Sequence, residues 1–327
     1  MRKWLLGWCV VFAVAGLGTA SAQQPLTIKV GLESAGTFSW VVYAMHYYGL
    51  DAKYGLDVQS TKYATKQASR LALREGTVDV VVDDFIGVVQ DRNNGIPVQA
   101  VYPYGKATGG VVVRADSSIH SIADLKGKTI AASSLNDKSL LILRALTTSK
   151  YGFDPQVDGK VLSAAPPLMT QLLASGKIDA AIPYWHFVAR MVGSGDYRNI
   201  MNVTDMLSQL GMRTDLPILV VVAREGADPK AVTAFLGALK ETEQRMSADS
   251  MDGVWQKILD QGLYSLPDPS LFPSVRKRWE AGLPTAWNQS VIDGLVTLVD
   301  QLVKVAGADV VGVSKLPADA FTTRFAP

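Results

Sequence analysis

Leu73-Arg74-Glu75-Gly76-Thr77-Val78-Asp79-Val80-Val81-Val82 carries the switch that decides the fold. Residues 66–74 read as a helix that closes on Gly76, and residues 78–82 are almost unbroken apolar. A short run of that kind suits a parallel strand covered by helices on both faces. Working outward, residues 27–32 and 56–59 read as strands, and residues 40–48 as a helix closed by Gly49. Residues 98–102 and 110–114 read as two further strands. The same grammar then begins again, with a helical turn at 122–128, a strand at 129–132 and a helix at 138–149. A strand at 161–162, a helix at 168–174, a strand at 178–182 and an apolar run at 218–223 follow. Past Asp228-Pro229 the pattern is helical, over 229–248, 251–262, 271–281 and 288–306, with Pro229 in a first turn that tolerates it. Alternating strand and helix predicts an α/β fold. Two such blocks and a helical tail predict two lobes, each a mostly parallel sheet flanked by helices, the second inserted into the first. Lobe I takes residues 23–108 and 224–327, and lobe II residues 109–223. Ligands of open parallel sheets bind at the carboxyl ends of the strands, so facing lobes bring two such rims across one cleft.

The first residues point to export. Arg2 and Lys3 precede an apolar run from Trp4 to Leu17, and Ala20-Ser21-Ala22 then offers small residues at the positions a signal peptidase reads. This order predicts a signal peptide over residues 1–22, cut after Ala22. The apolar run is shorter than the roughly 20 residues a membrane span needs. Cys9 is the only cysteine of the 327 residues, so the mature chain has no disulfide, thiolate metal site or cysteine nucleophile. A chain of this length buries enough apolar surface without such staples. Losing Arg2 and Lys3 reduces 32 Lys+Arg to 30, against 30 Asp+Glu, so the sequence pI of 8.5 overstates the basicity of the mature protein. Near-neutral charge without a Lys/Arg run gives no footprint for nucleic acid or an anionic membrane.

Motifs for several chemistries are missing. Gly127-Lys128-Thr129 resembles the end of a phosphate-binding loop, but Ile122 stands where that motif needs glycine. There is no dinucleotide fingerprint and no Gly-x-Ser-x-Gly elbow. His46, His120 and His186 are far apart, and converging zinc ligands are not in evidence. No metal, cofactor or catalytic activity is expected.

Several separated motifs resemble one family. They are Gly55-Leu56-Asp57-Val58, the run from Leu73 to Val80, Ser121-Ile122-Ala123-Asp124-Leu125-Lys126-Gly127-Lys128-Thr129-Ile130, and Ala174-Ser175-Gly176-Lys177-Ile178-Asp179-Ala180. In this order they resemble the nitrate/sulfonate/taurine-type periplasmic solute-binding proteins of ABC importers, whose superfamily includes thiamine-pyrimidine synthases. The resemblance covers roughly residues 25–225. It implies the type II periplasmic binding fold, a periplasmic location, a monomer that closes on a small molecule, and a membrane permease as partner. Two other classes are a periplasmic ligand sensor and a pyrimidine-synthase-like enzyme. The latter carries a cysteine-rich motif that the mature chain lacks.

The motifs are mostly scaffold, and the loops between them decide the ligand. From lobe I the expected cleft residues are Ser34, Gly36, Thr37, Phe38 and Trp40 after the first strand, Tyr63 in the loop Tyr63-Ala64-Thr65-Lys66-Gln67, Asp83, Asp84 and Phe85 after the third, and Tyr102 and Tyr104. From lobe II they are Ser134, Asn136, Asp137 and Lys138 before a helix, and Tyr184, Trp185 and His186 after a strand. The helix start at Gly36-Thr37 favours an anion or simple capping by Thr37 or Ser39. Asn136-Asp137-Lys138 departs from the small and hydroxyl residues that the family places against an anionic head group. The aromatic residues suit an organic ligand or a cationic group. Asp83 and Asp84 favour an amine over a bare anion. The expected ligand is a small organic solute, sulfonate- or taurine-like or bearing an amine or heterocycle.

Overall fold

The computed structural model describes residues 24–106, 109–313 and 317–326. The expected signal peptide lies outside the described residues. Ten strands form two five-stranded sheets. The first sheet holds β1 (Leu26–Glu33), β2 (Leu56–Tyr63), β3 (Val80–Asp84) and β4 (Val98–Gly105). The second holds β5 (Gly110–Arg114), β6 (Thr129–Ala132), β7 (Lys160–Ser163), β8 (Ala180–Ile182) and β9 (Tyr197–Asn202). A last strand, β10 (Leu219–Arg224), returns to the first, giving the orders β2-β1-β3-β10-β4 and β7-β6-β8-β5-β9.

The sheets are mixed rather than uniformly parallel. β1 pairs in parallel with β2 and β3, as β6 does with β7 and β8, but β10 runs antiparallel to β3 and β4, and β5 antiparallel to β8 and β9. These two reversed strands are the ones through which the chain enters the second lobe and returns to the first. The boundary expected at 223/224 therefore falls too late, because β10 is hydrogen-bonded inside the first sheet from Leu219 onward. The tail also departs from its assignment to lobe I. Helix Gln289–Ala306 packs against helix Lys138–Leu146 of the second lobe. The physical reason is that every residue of Lys138–Leu146 is buried, including Leu140, Leu141, Leu143 and Leu146. A helix apolar on all sides needs cover on all sides, and Leu295, Leu298, Val299 and Leu302 supply part of it. The chain then comes back to the first sheet, where Phe321 bridges Ala100 and Trp287 Nε1 donates to the Thr322 carbonyl at 2.8 Å.

Sequence reading also passed over the helices Phe85–Asn93, Trp185–Gly193 and Val203–Gln209 and the strand β9. Helix Phe85–Asn93 starts on the residue after β3, so no breaker separates the two periods, and only Pro183-Tyr184 lies between β8 and helix Trp185–Gly193.

Helix Lys66–Arg74 is tied to its neighbour by charge. Lys66, Arg70 and Arg74 recur every four residues and so share one helix face. Lys66 meets Asp84, and also Asp83 at 2.9 Å. Arg70 reaches Asp83 at 3.0 Å and Asp91 at 2.8 Å, and Arg74 closes the row on Asp91. Thr65 caps this helix by accepting from the Ala68 amide, and Asp84 caps helix Phe85–Asn93 by accepting from the Gly87 amide at 2.8 Å. Gly87 leaves room for the row: a Cβ there would stand 2.7 Å from the Asp83 carboxylate. Removing one partner from a buried charge network strands the rest. Asp91→Ala is expected to lower the unfolding free energy by about 3–5 kcal/mol, read by urea denaturation. A loss below about 1 kcal/mol, the range of exposed pairs, would contradict this role.

Candidate functional site, the cleft between the sheets

The cavity lies where the carboxyl ends of β1, β3 and β8 and the turn after β6 meet. Its lining combines Gly31, Glu33, Gly36, Thr37, Phe38, Lys66, Val82, Asp83, Tyr104 and Leu219 with Gly109, Lys138, Ser139, Pro183, Tyr184, Trp185 and His186. It offers about 70 Å³ to the centres of water-sized molecules. One water needs roughly 10–15 Å³ on this scale, so the space holds a handful of waters or a compact solute. Gly109 lets the crossing strand form one wall, since a Cβ there would meet the Pro183 carbonyl oxygen at 2.1 Å.

Side chains bridge the two halves directly. Tyr184 OH donates to Glu33 Oε1 at 2.9 Å, and Gln67 Nε2 donates to the Ser133 carbonyl at 3.1 Å. His186 Nε2 lies 2.8 Å from the Ala35 carbonyl, which only accepts, so this nitrogen carries the proton. Tyr264 OH donates to the His186 carbonyl at 2.7 Å. The Trp40 ring packs edge-on against Trp185 and His186 and tilts over Tyr264.

The charges differ from the sequence expectation. Asp83 and Asp84 are buried but already hold Lys66, and Asp83 also holds Arg70. They are therefore not a bare acidic patch. Burial opposes the charge on Lys66, but Asp83 and Asp84 outweigh it and keep the ammonium protonated far above neutrality. Burial likewise opposes ionisation of Asp84, yet Lys66 and Lys138 hold its pKa down at about 2. Asp137 accepts from the Ser139 amide at 2.8 Å and from the Ser133 hydroxyl at 2.5 Å. Lys138 is equally buried, yet among the described residues its ammonium has no hydrogen-bond or ion-pair partner. Helices Phe38–Tyr47 and Trp185–Gly193 also begin at the cavity without a side-chain cap, leaving free N–H groups there. Thr37 does not cap. Its hydroxyl pairs with Tyr104 OH at 3.0 Å, and Ser39 Oγ donates to the Gly36 carbonyl.

Of the residues expected in the cleft, Gly36, Thr37, Phe38, Asp83, Tyr104, Lys138, Tyr184, Trp185 and His186 line the cavity. Trp40 and Phe85 are buried off the cavity, Trp40 against Trp185, His186 and Tyr264 and Phe85 in the apolar core. Asp84 and Asp137 serve as helix caps beneath the site. Ser34 and Tyr63 are joined by a backbone hydrogen bond at the β1–β2 edge, off the cavity. Asn136 is exposed and Ser134 half-buried, both off the cavity, and Tyr102 lines a separate cavity. Glu33, Lys66 and Ser139 are the polar lining residues that were not singled out. Glu33 is the last residue of a strand otherwise rich in apolar side chains, which was the available signal.

Burial raises the Glu33 carboxyl from 4.5 to about 7, with Tyr184 and Lys66 acting in the opposite sense. Burial lowers His186 from 6.5 to about 4 despite its bond to Ala35, so the ring is neutral near pH 7. The two give opposite slopes. Unfolded Glu33 releases its proton near 4.5 while the folded chain keeps it to about 7, so its contribution to stability is complete below 4.5 and is lost as pH rises through 7. The contribution of His186 is present above 6.5 and is lost as pH falls through 4. Glu33→Gln removes the first trend alone. Urea unfolding from pH 4.5 to 8 is expected to show wild type losing stability relative to the variant, on the order of 2–3 kcal/mol. Parallel profiles would contradict the assignment.

Among the described residues no group of three or more His, Cys, Asp or Glu could hold a metal, and no helix is long and apolar enough to cross a membrane.

Solved structures with the same architecture include proteins described as sulfonate-binding. The alkanesulfonate-binding protein SsuA from Xanthomonas axonopodis pv. citri, bound to MOPS, aligns with TM-score 0.73 at 19% identity, over 92% of this chain and 99% of its own. The periplasmic aliphatic sulphonate binding protein SsuA from Escherichia coli aligns with TM-score 0.63 at 18% identity, over 87% and 97%. A Candida albicans protein described as having the generic periplasmic binding protein structural fold aligns with TM-score 0.65 at 16% identity, over 87% and 93%. At these identities the likeness establishes the periplasmic binding protein fold. No curated protein matches the sequence. Residues 41–251 match the profile described as NMT1/THI5 like, a range that holds β2 to β10, and the chain belongs to that family.

Proposed function

We propose that this protein is the periplasmic solute-binding component of an ABC importer and that it captures a compact organic solute without altering it. The carrying observation is Lys138, which makes no hydrogen bond or salt bridge among the described residues, feels Asp84 only through its field, and is buried in the same small cavity as Glu33. An unpaired buried charge is costly, and an anionic group on the solute relieves that cost. The Ser139 hydroxyl and the uncapped helix starts at Phe38 and Trp185 add donors for the same end. Glu33 and the Tyr184 hydroxyl face a second polar end, and Glu33 suits an amine. Phe38, Tyr104 and Trp185 supply apolar walls. A taurine-like solute, with an anionic head and an amine a few bonds away, fits this pattern better than nitrate.

The fold family supports the transport reading, since the aligned SsuA proteins are described as sulfonate-binding proteins. Closure brings Tyr184 to Glu33 and His186 to Ala35, and a membrane permease would recognise the paired lobes. None of these contacts moves a proton to a reacting atom, and His186 is neutral and held by a carbonyl.

Calorimetry of the purified mature protein tests the reading against taurine, ethanesulfonate, ethylamine and nitrate. Taurine is expected to bind at least about tenfold more tightly than any single-ended solute, the value of one charge-assisted hydrogen bond. Lys138→Met is expected to abolish that binding. Equal affinity for nitrate, or taurine binding that survives Lys138→Met, would overturn it.

A further inference from the structure

A second cavity lies beside the crossing between the lobes. It is lined by Tyr102 and Pro103 of β4, by Glu243 on helix Pro229–Ala248, and by Leu283, Pro284 and Trp287. On the measure used for the cleft it offers about 440 Å³. Gly282, next to Leu283, accepts from the Lys106 amide at 2.7 Å, which ties this wall to the chain leaving the first lobe. Glu243 is 7% exposed. Its Oε1 is enclosed and accepts no hydrogen bond among the described residues. Burial raises its pKa, to about 8. Lys240 lines the outer side but is exposed.

A bare buried carboxylate costs free energy unless something pairs with it. Among the described residues nothing hydrogen-bonds its Oε1, and the cavity beside it is walled by a Tyr and a Trp ring. We propose that this cavity is a second binding site, separate from the interlobe cleft, for a small organic ammonium ion whose charged end pairs with Glu243 and whose apolar body lies against Tyr102, Leu283 and Trp287. Carboxylate and aromatic faces both favour a cation, and the apolar walls select an alkyl ammonium over a hydrated metal ion.

The test is calorimetry of the mature protein with butylammonium and, as the matched anion, butyrate, at pH 9, where Glu243 is ionised and the amine still carries its proton. Saturable binding of butylammonium and none of butyrate is expected. Glu243→Gln, which keeps the shape, is expected to weaken binding at least about tenfold, whereas Glu33→Gln leaves it unchanged and so separates this site from the cleft. Circular dichroism checks the fold of each variant. If Glu243→Gln fails to fold, Ala286→Trp, at the rim, is expected to block binding in its place. No saturable binding to the wild type, binding that survives Glu243→Gln or Ala286→Trp, or binding lost in Glu33→Gln would overturn the proposal.

Discussion

The burial of Lys66 between Asp83 and Asp84 is the constraint on which the cleft depends. It places one ammonium where β3 ends and helix Lys66–Arg74 begins. A lone charge there would be expelled or neutralised. Instead Asp83 is shared with Arg70, Arg70 with Asp91, and Asp91 with Arg74, so the network continues outward to the half-exposed Arg74. Asp84 also caps the following helix through Gly87. The same carboxylates thus fix two helix starts at the rim and have little capacity left for a solute. That shifts the chemistry of the cavity to the groups outside the network, which are Lys138 from one lobe and Glu33 from the other.

This division explains the character of the site. Residues of the network are rigid because each has more than one partner. Lys138 and Glu33 have spare capacity because the protein supplies at most one. Their side chains, at the mouths of different sheets, share one enclosed space where the lobes meet through Tyr184 and His186. On the proposed function, capture and closure are one event: a solute would supply the missing partners and the bridging hydrogen bonds would exclude water around them.

Much of the scaffold was legible in the sequence because its signals are local. Helix Lys66–Arg74, strands Gly110–Arg114 and Thr129–Ala132, and helix Pro229–Ala248 were readable to the residue from periodicity, terminal glycines and Pro229. The reversed direction of β5 and β10 was not, because an apolar run reads alike in either direction and only the partner strands settle it. The reach of helix Gln289–Ala306 onto the second lobe was equally hidden, since an apolar stripe shows that something is covered but not what. At the site, strand-end loops located the cavity, and half of the residues chosen there do line it. The others fail for definite reasons. Phe85 and Trp40 are buried in packing off the cavity, and Asp84 caps a helix beneath it; Asp83 does line the cavity but, with Asp84, is already paired to Lys66 and Arg70. Those partners recur at four-residue spacing in the sequence, which is the signal that would have exposed the pairing.

The central claim is that the two sheets move against each other and that a solute selects the closed arrangement. Beyond Cys9 the chain has no cysteine, so spin labels can be placed at Gln59→Cys on β2 and Lys160→Cys on β7, both exposed. Pulsed electron–electron resonance then reads the distance between the lobes with solute retained, removed and restored. The account predicts a short, narrow distribution with solute, a longer and broader one without it, and recovery on its return. One unchanged distribution in all three states would contradict it.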